Sequence, residues 1–211
     1  MMVRAFRLVA GILALAALAL QFWLMTKYPG VRSVGVTVLR FFSFFTMQVN
    51  VLIVVCMLVP ALAPMSRLSG FLSRPQVRTA VASYSAVVAI IYFVLLRNLG
   101  HDYGLERLAD RLLHYVTPAL FLIDWLVWVR KGQVRLSDLG TYLIYPALYC
   151  AWTFLYGAIT RWYPYPFFNA ARHGYAQALA DFVGVVCVVI AITLLFLVVD
   201  RVLAALQRAR A

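Results

Sequence analysis

The chain has few charged residues, and acids are especially scarce. Only 12% of its 211 residues are charged, seven of them acidic and 19 basic. An average soluble domain carries about twice that share, so the composition argues against a soluble globular protein. With 65% hydrophobic residues and a mean hydropathy of +0.90, it is typical of a protein that crosses the membrane several times.

Motifs for metals and cofactors are also missing. The three cysteines all fall within apolar segments: Cys56, Cys150 and Cys187. Their spacing is not that of metal ligands, and they are interpreted as small buried apolar residues. His101 and His173 fall in loops and form no HxxxH or CxxC pattern with His114. With no Walker loop, GxSxG or HExxH in the sequence, we predict no metal and no cofactor.

The formal net charge of +12 would indicate a nucleic-acid partner in a soluble protein. Here the basic residues lie at the ends of apolar segments, where Lys and Arg set the topology and contact lipid headgroups. We therefore predict membrane lipids as partners and no nucleic acid. Arg outnumbers Lys, which favours a bacterial source and hence the bacterial cytoplasmic membrane.

Six apolar segments are long enough to span a bilayer, which takes about 20 residues. They cover residues 6–25, 36–59, 79–96, 108–129, 139–159 and 178–199. The connections are short and leave no room for a soluble domain. The predicted fold is therefore an all-α integral membrane protein, with residues 1–211 forming a single bundle of six transmembrane helices.

The distribution of Lys and Arg predicts the orientation. If the N-terminus is cytoplasmic, 11 of the 19 basic residues lie on the inner side and eight on the outer side. Most of the acids fall on the outer side and strengthen the difference. Both termini are therefore predicted to be cytoplasmic.

The second segment, residues 36–59, carries polar residues in its first half: Ser43, Thr46, Gln48 and Asn50. The spacing of Ser43, Thr46 and Asn50 by three and then four puts them on one face of a helix, with Gln48 roughly opposite. Such a stripe is costly against lipid. It is predicted to face the bundle interior or a cavity.

Two residues on different helices reach similar depths from the outer side. Thr46 lies ~9 Å beyond Arg40, and His114 lies ~5 Å beyond Asp110 and Arg111, at the rise of an α-helix. They are predicted to lie within hydrogen-bonding distance or one water apart, as a nucleophile and its general base. The alternative for Thr46 is a bond to the carbonyl four residues back. An intramembrane histidine such as His114 is a functional candidate by default.

Two acids accompany His114 on the fourth segment. Asp110 lies one turn before it and either orients the imidazole or is a solvated acid at the helix start. Asp124 lies ~15 Å further along the helix, too far to orient the ring. We rank structural pairing with a neighbouring helix ahead of catalysis for Asp124. It could also close the inner end of a cavity.

The fifth segment carries a row of hydroxyl groups spaced by three or four residues: Tyr142, Tyr145, Tyr149, Thr153 and Tyr156. Two interpretations stay open. Tyr145, Tyr149 and Tyr156 line a cavity for an amphipathic ligand together with Asn50, or they pack in the core with satisfied hydroxyls. The following stretch, RWYPYPFFN at residues 161–169, is an interfacial aromatic belt that its two prolines stiffen into a cap or lid.

Three pieces carry a resemblance to a known group: FFSFFTMQVNVLIVV, LLHYVTPALFLIDW and WYPYPFF. In this order they resemble the Pr6Pr family of bacterial membrane proteins and, more distantly, the eukaryotic androgen-induced membrane hydrolases. The eukaryotic proteins use an intramembrane Thr and His to hydrolyse fatty acid esters of hydroxy fatty acids. Thr46 matches the family threonine, and His114, Pro118 and Asp124 match the stretch around the family histidine. Around Thr46 the sequence departs from the family at Gln48 and Asn50.

These observations support one leading function and two rivals. The leading function is a membrane-embedded hydrolase of fatty-acyl esters, with Thr46 as nucleophile and His114 as base. Ser43 or Asn50 would donate to the oxyanion, and Asn50 is the better donor. The rivals are a non-catalytic binder or transporter of lipids or small molecules, and an assembly protein whose polar stripes join helices. Contact between Thr46 and His114 would favour the hydrolase.

Overall fold

A computed structural model describes residues 1–27, 33–98 and 103–209, and these residues form helices and no strand. The helices in chain order are α1 (Met2–Met25), α2 (Val34–Phe42), α3 (Phe45–Leu62), α4 (Arg67–Leu72), α5 (Pro75–Ile91), α6 (Leu105–Arg111), α7 (Thr117–Trp128), α8 (Asp138–Thr160), α9 (Ala170–His173) and α10 (Tyr175–Ala209). A π-helix, Tyr92–Leu96, extends α5, and a second, Leu112–Val116, joins α6 to α7.

Five helices of the described chain are long and apolar enough to cross a membrane: α1, α3, α5 with its π-helical extension, α8 and α10. This agrees with the prediction of an all-α membrane protein. Large apolar side chains on their outer surfaces are exposed, as on α1 at Val9, Ile12 and Leu15, and a bilayer would cover them.

Small residues allow α1 to pack closely on α3. Ala10, Ala14 and Ala17 are buried on the inner face of α1. At Gly11, a Cβ atom would lie 2.5 Å from a methyl carbon of Leu58. Close backbone approach at small residues is the usual way in which helices associate in membranes.

The second predicted segment is not one continuous helix, because α2 ends at Phe42 and α3 begins at Phe45. Phe44 between them is extended, with ψ of 126°, and the Ser43 hydroxyl donates to the carbonyl of Leu39 at 2.7 Å. Polar side chains donate hydrogen bonds to the backbone carbonyl groups that the break leaves without helical partners. Gln48 donates to the carbonyl of Phe42 at 2.5 Å, and Tyr149 donates to the carbonyl of Ser43 at 3.1 Å.

This break changes what the polar stripe does. Ser43, Thr46 and Asn50 are all buried, as the cost of exposing them to lipid predicts. However, Thr46 lies in the first turn of α3 and not in the middle of a helix. The first turn has free backbone N–H groups and a partial positive charge.

Asp124 lies far from Thr46, in an ion-pair cluster near the start of α1. Its carboxylate accepts from Arg7 Nε at 2.7 Å and also from Arg78. Arg7 and Gln21, which lies beside Thr46, are 14 residues apart on α1, or ~21 Å. Asp124 therefore does not line a cavity at Thr46. Its pairing with Arg7 and Arg78 agrees with the structural role that was ranked first for it.

Candidate functional site

Thr46 and His114 meet near one end of the bundle. The Oγ1 atom of Thr46 lies 3.3 Å from Nε2 of His114, as the depth argument predicts. Thr46 is buried, whereas the His114 side chain keeps 13% of its surface exposed. A hydroxyl in reach of an imidazole nitrogen is the arrangement that activates a nucleophile.

Asp110 holds the other edge of the His114 ring. Nδ1 of His114 lies 3.0 Å from the backbone oxygen of Asp110 and 3.0 Å from its carboxylate Oδ1. Both oxygens only accept hydrogen bonds, so Nδ1 carries the proton and Nε2 is left as the base that faces Thr46. Of the two alternatives for Asp110, orientation of the imidazole fits this geometry.

Tyr92 completes this support. Its ring stacks on the His114 imidazole with centroids 4.0 Å apart, and its hydroxyl donates to the second carboxylate oxygen of Asp110. Both residues lie in π-helices, His114 in Leu112–Val116 and Tyr92 in Tyr92–Leu96. Such segments are rare and are frequent at functional sites.

Tyr165, in the loop after α8, contacts Thr46 directly. Neither Tyr165 nor Tyr92 was predicted as a site residue, although Tyr165-Pro166-Phe167 matches a Tyr-Pro-Phe of the family that the chain resembles. The hydroxyl of Tyr165 accepts from the Thr46 N–H at 3.3 Å and lies 3.3 Å from Thr46 Oγ1. Burial raises the pKa of the Tyr165 phenol, so it keeps its proton and can donate it in a hydrogen bond. The sequence predicts an interfacial belt or lid at residues 161–169, and the Tyr-Pro-Phe at residues 165–167 is the signal that could have placed Tyr165 at the site.

Thr46 lies between two cavities. One, of about 280 Å³, is open and partly polar and is lined by Gln21, Tyr92, Asp110, His114 and Tyr165. The other holds about 50 Å³ of free space and is almost wholly apolar, with Phe45, Val88, Tyr149, Phe168 and Val189 among its lining residues. Thr46 and Tyr165 line both. A molecule with a polar centre and an apolar tail fits this pair of spaces.

The two predicted oxyanion donors already have partners. The side-chain amide of Asn50 donates to the carbonyls of Thr46 at 2.9 Å and Leu113 at 3.0 Å, and its oxygen accepts from Thr117. The hydroxyl of Ser43 donates to a backbone carbonyl and accepts from Trp152 at 3.0 Å. Asn50 therefore fixes α3 against the helix that carries His114, and Ser43 closes the helix break.

Of the three tyrosines predicted to line a cavity, one lines a cavity at Thr46 and two pack against other side chains. Tyr149 lines the apolar cavity. Tyr145 instead donates to Gln48 at 2.8 Å, and Tyr156 stacks on Trp152; neither lines the cavities at Thr46. For Tyr145 the alternative of packing with a satisfied hydroxyl fits better, because Gln48 accepts its hydrogen bond. Tyr156 is half-buried and packs its ring on Trp152. His101, considered above as a metal ligand, lies outside the described residues.

Comparisons with protein-family models, with curated proteins and with solved structures give no match to this chain. The function is therefore inferred from the geometry of the site and from the sequence.

Proposed function

We propose that the protein is a membrane-embedded hydrolase of lipid esters, in which Thr46 is the nucleophile and His114 the general base. The observation that carries the proposal is the 3.3 Å approach of Thr46 Oγ1 to His114 Nε2, with Asp110 on the far side of the imidazole. The resemblance to the Pr6Pr family and the androgen-induced hydrolases agrees with this assignment of roles.

Acylation begins when Thr46 Oγ1 attacks the ester carbonyl carbon and Nε2 of His114 takes its proton. Nδ1 keeps its proton and its contact with Asp110, which stabilises the imidazolium. The ester C–O bond then breaks, and the alcohol leaves with the proton from Nε2. The product is an acyl ester on Thr46.

Deacylation repeats the sequence with water. The water oxygen attacks the acyl carbon and gives its proton to Nε2. The fatty acid leaves as the proton returns to Thr46 Oγ1. Water reaches the acyl group through the open, partly polar cavity beside His114.

Tyr165 takes the role of oxyanion donor that was predicted for Ser43 or Asn50. Its oxygen accepts the Thr46 N–H, and its hydroxyl lies 3.3 Å from Thr46 Oγ1. Once Oγ1 bonds to the substrate, the Tyr165 O–H turns to donate to the negative oxygen of the tetrahedral intermediate. The first turn of α3 adds a favourable partial charge at the same point. The apolar cavity beside Tyr165 holds the start of the acyl chain.

The first test is hydrolysis of a fatty acid ester of a hydroxy fatty acid by purified protein in detergent. Wild-type protein should release fatty acid, and Tyr165→Phe should lower kcat by about 10²-fold, the loss typical of one oxyanion donor. KM should change little, because the hydrogen bond strengthens only as negative charge develops.

Tyr145→Phe is the matched control, because it also removes a hydrogen-bonded tyrosine hydroxyl, here a partly buried one outside the cavities at Thr46. It should keep nearly full activity. Equal losses in the two variants would remove Tyr165 from the mechanism. A wild-type protein that retains lipid but releases no fatty acid would favour a non-catalytic lipid binder.

We further propose six membrane spans, with residues 105–128 as the fourth, both termini in the cytoplasm and the membrane a bacterial cytoplasmic one. The excess of Lys and Arg at the end where α1 begins supports this orientation, which opens the site toward the outer leaflet. Reporters fused to the C-terminus test it. A C-terminal fluorescent protein that matures only in the cytoplasm should be bright. If that fusion is dark and a C-terminal fusion to a phosphatase that works only in the periplasm is active, the topology is the reverse.

A further inference from the structure

A further cavity, separate from the two at Thr46, lies at the other end of the bundle, where α1 and α5 begin and α7 ends. It encloses about 300 Å³ and is lined by Arg7, Ser73, Arg78, Arg130 and Gln133, with Pro75, Trp128 and Val129. No acidic side chain is among the described residues that line it. The hydrolase mechanism uses none of these residues.

Positive charge exceeds negative charge at this cavity. Arg7 and Arg78 share the single carboxylate of Asp124, which leaves one positive charge uncompensated, and Arg130 at the rim adds another. Nearby, Lys131 and Asp200 are both buried, and their opposite charges add no net charge. Arg78 is 1% exposed, so its charge acts in surroundings where water screens it poorly.

The donors at the cavity suit an oxyanion. Arg7 reaches Asp124 through Nε and Nη2, and the guanidinium of Arg130 is exposed. The 17-residue helix α5 begins at Pro75, so its partial positive charge lies at the same opening. Guanidinium groups match the geometry of phosphate oxygens by donating two parallel hydrogen bonds.

We infer that this cavity binds a phosphate-bearing anion. The position favours the headgroup of an anionic phospholipid over free phosphate. Trp128 lines the cavity and packs on Phe6 with ring centroids 4.8 Å apart, and such aromatic side chains are enriched at the level of lipid headgroups. Basic pockets between helices at a membrane surface are suited to acidic headgroups.

The test uses the full-length protein in nanodiscs of phosphatidylcholine that contain phosphatidylglycerol. Native mass spectrometry counts the retained phosphatidylglycerol, and thermal unfolding in detergent is titrated with inorganic phosphate. Wild-type protein should retain phosphatidylglycerol, and Arg130→Gln should weaken retention by about tenfold, as expected from the loss of one charge-assisted hydrogen bond. Because Arg130 is exposed, this variant should fold normally.

Arg135→Gln is the matched control, since Arg135 is also exposed on the same loop but does not line the cavity. It should retain phosphatidylglycerol as wild type does. If phosphatidylglycerol is not retained, but inorganic phosphate stabilises the wild-type protein and not Arg130→Gln, the ligand of the cavity is free phosphate and not a lipid headgroup. Equal losses in both variants, or binding of neither probe, would overturn the inference.

Discussion

Thr46→Ala is expected to abolish ester hydrolysis, lowering kcat by at least roughly 10⁴-fold, because the residue that forms the acyl intermediate is gone. Thr46→Ser should keep part of the activity, since it preserves the oxygen and loses only the methyl group that restricts the rotamer. His114→Ala should be nearly as damaging as Thr46→Ala. The double variant should lose no more than either single one, because both remove the same step. Fatty acid release by the purified variants measures these effects.

Thr193→Ala on α10 is the control for this series. Thr193 is also buried, but it lines neither cavity at Thr46, so its loss should leave activity near that of wild type. Removing one hydrogen-bonded hydroxyl costs about 1 kcal/mol of stability, so Thr46→Ala should still fold. Full activity in folded Thr46→Ala would leave the proposed hydrolase without its nucleophile.

Asp124→Asn is expected to destabilise the fold by about 3–5 kcal/mol, the usual cost of removing one partner from a buried ion pair. The neutral amide leaves the guanidinium groups of Arg7 and Arg78 facing each other without a counter-charge. Thermal unfolding in detergent should therefore begin at a clearly lower temperature. Activity per folded molecule should be unchanged, because the cluster lies ~21 Å from Thr46 along α1.

Asp181→Asn is the corresponding control. Asp181 accepts from Gln177 at 2.8 Å on a surface turn of α10, and an asparagine oxygen can accept the same bond. Its effect should stay within about 0.5 kcal/mol. Equal unfolding temperatures for Asp124→Asn and wild type would show that the ion-pair cluster is not structural.

Local pattern was enough to predict the all-α fold and the approach of Thr46 to His114. Hydropathy locates long apolar helices because lipid demands about 20 apolar residues per span. The depth of a residue along a helix follows from the rise per residue. These two rules placed Thr46 and His114 near each other without any knowledge of tertiary contacts.

Other features depend on contacts between residues far apart in sequence. Arg78 and Arg7 meet Asp124 from 46 and 117 residues away, and Tyr165 meets Thr46 from 119 residues away. Nothing local to Asp124 or Tyr165 specifies those partners. The two π-helices and the break at Phe44 were not predicted either. A π-helix widens each turn by about one residue, and the break needs only one extended residue, so neither changes the hydropathy pattern.

Asn50 illustrates a further limit of reading side chains from a helical face. Its position beside Thr46 made it the better oxyanion donor on chemical grounds. In the fold, both of its amide hydrogens are taken by the carbonyls of Thr46 and Leu113. A buried amide satisfies its own hydrogen bonds first, and these partners are visible only in three dimensions.

Labelling with a fluorophosphonate probe tests the central claim most directly, because the probe bonds covalently to a hydroxyl that a neighbouring base has activated. The labelled residue is located by peptide mass spectrometry in wild type, Thr46→Ala and His114→Ala. We expect the label on Thr46 in the wild-type protein and none in either variant. A label on a different residue, or equal labelling of wild type and Thr46→Ala, would contradict the assignment of Thr46 as the nucleophile.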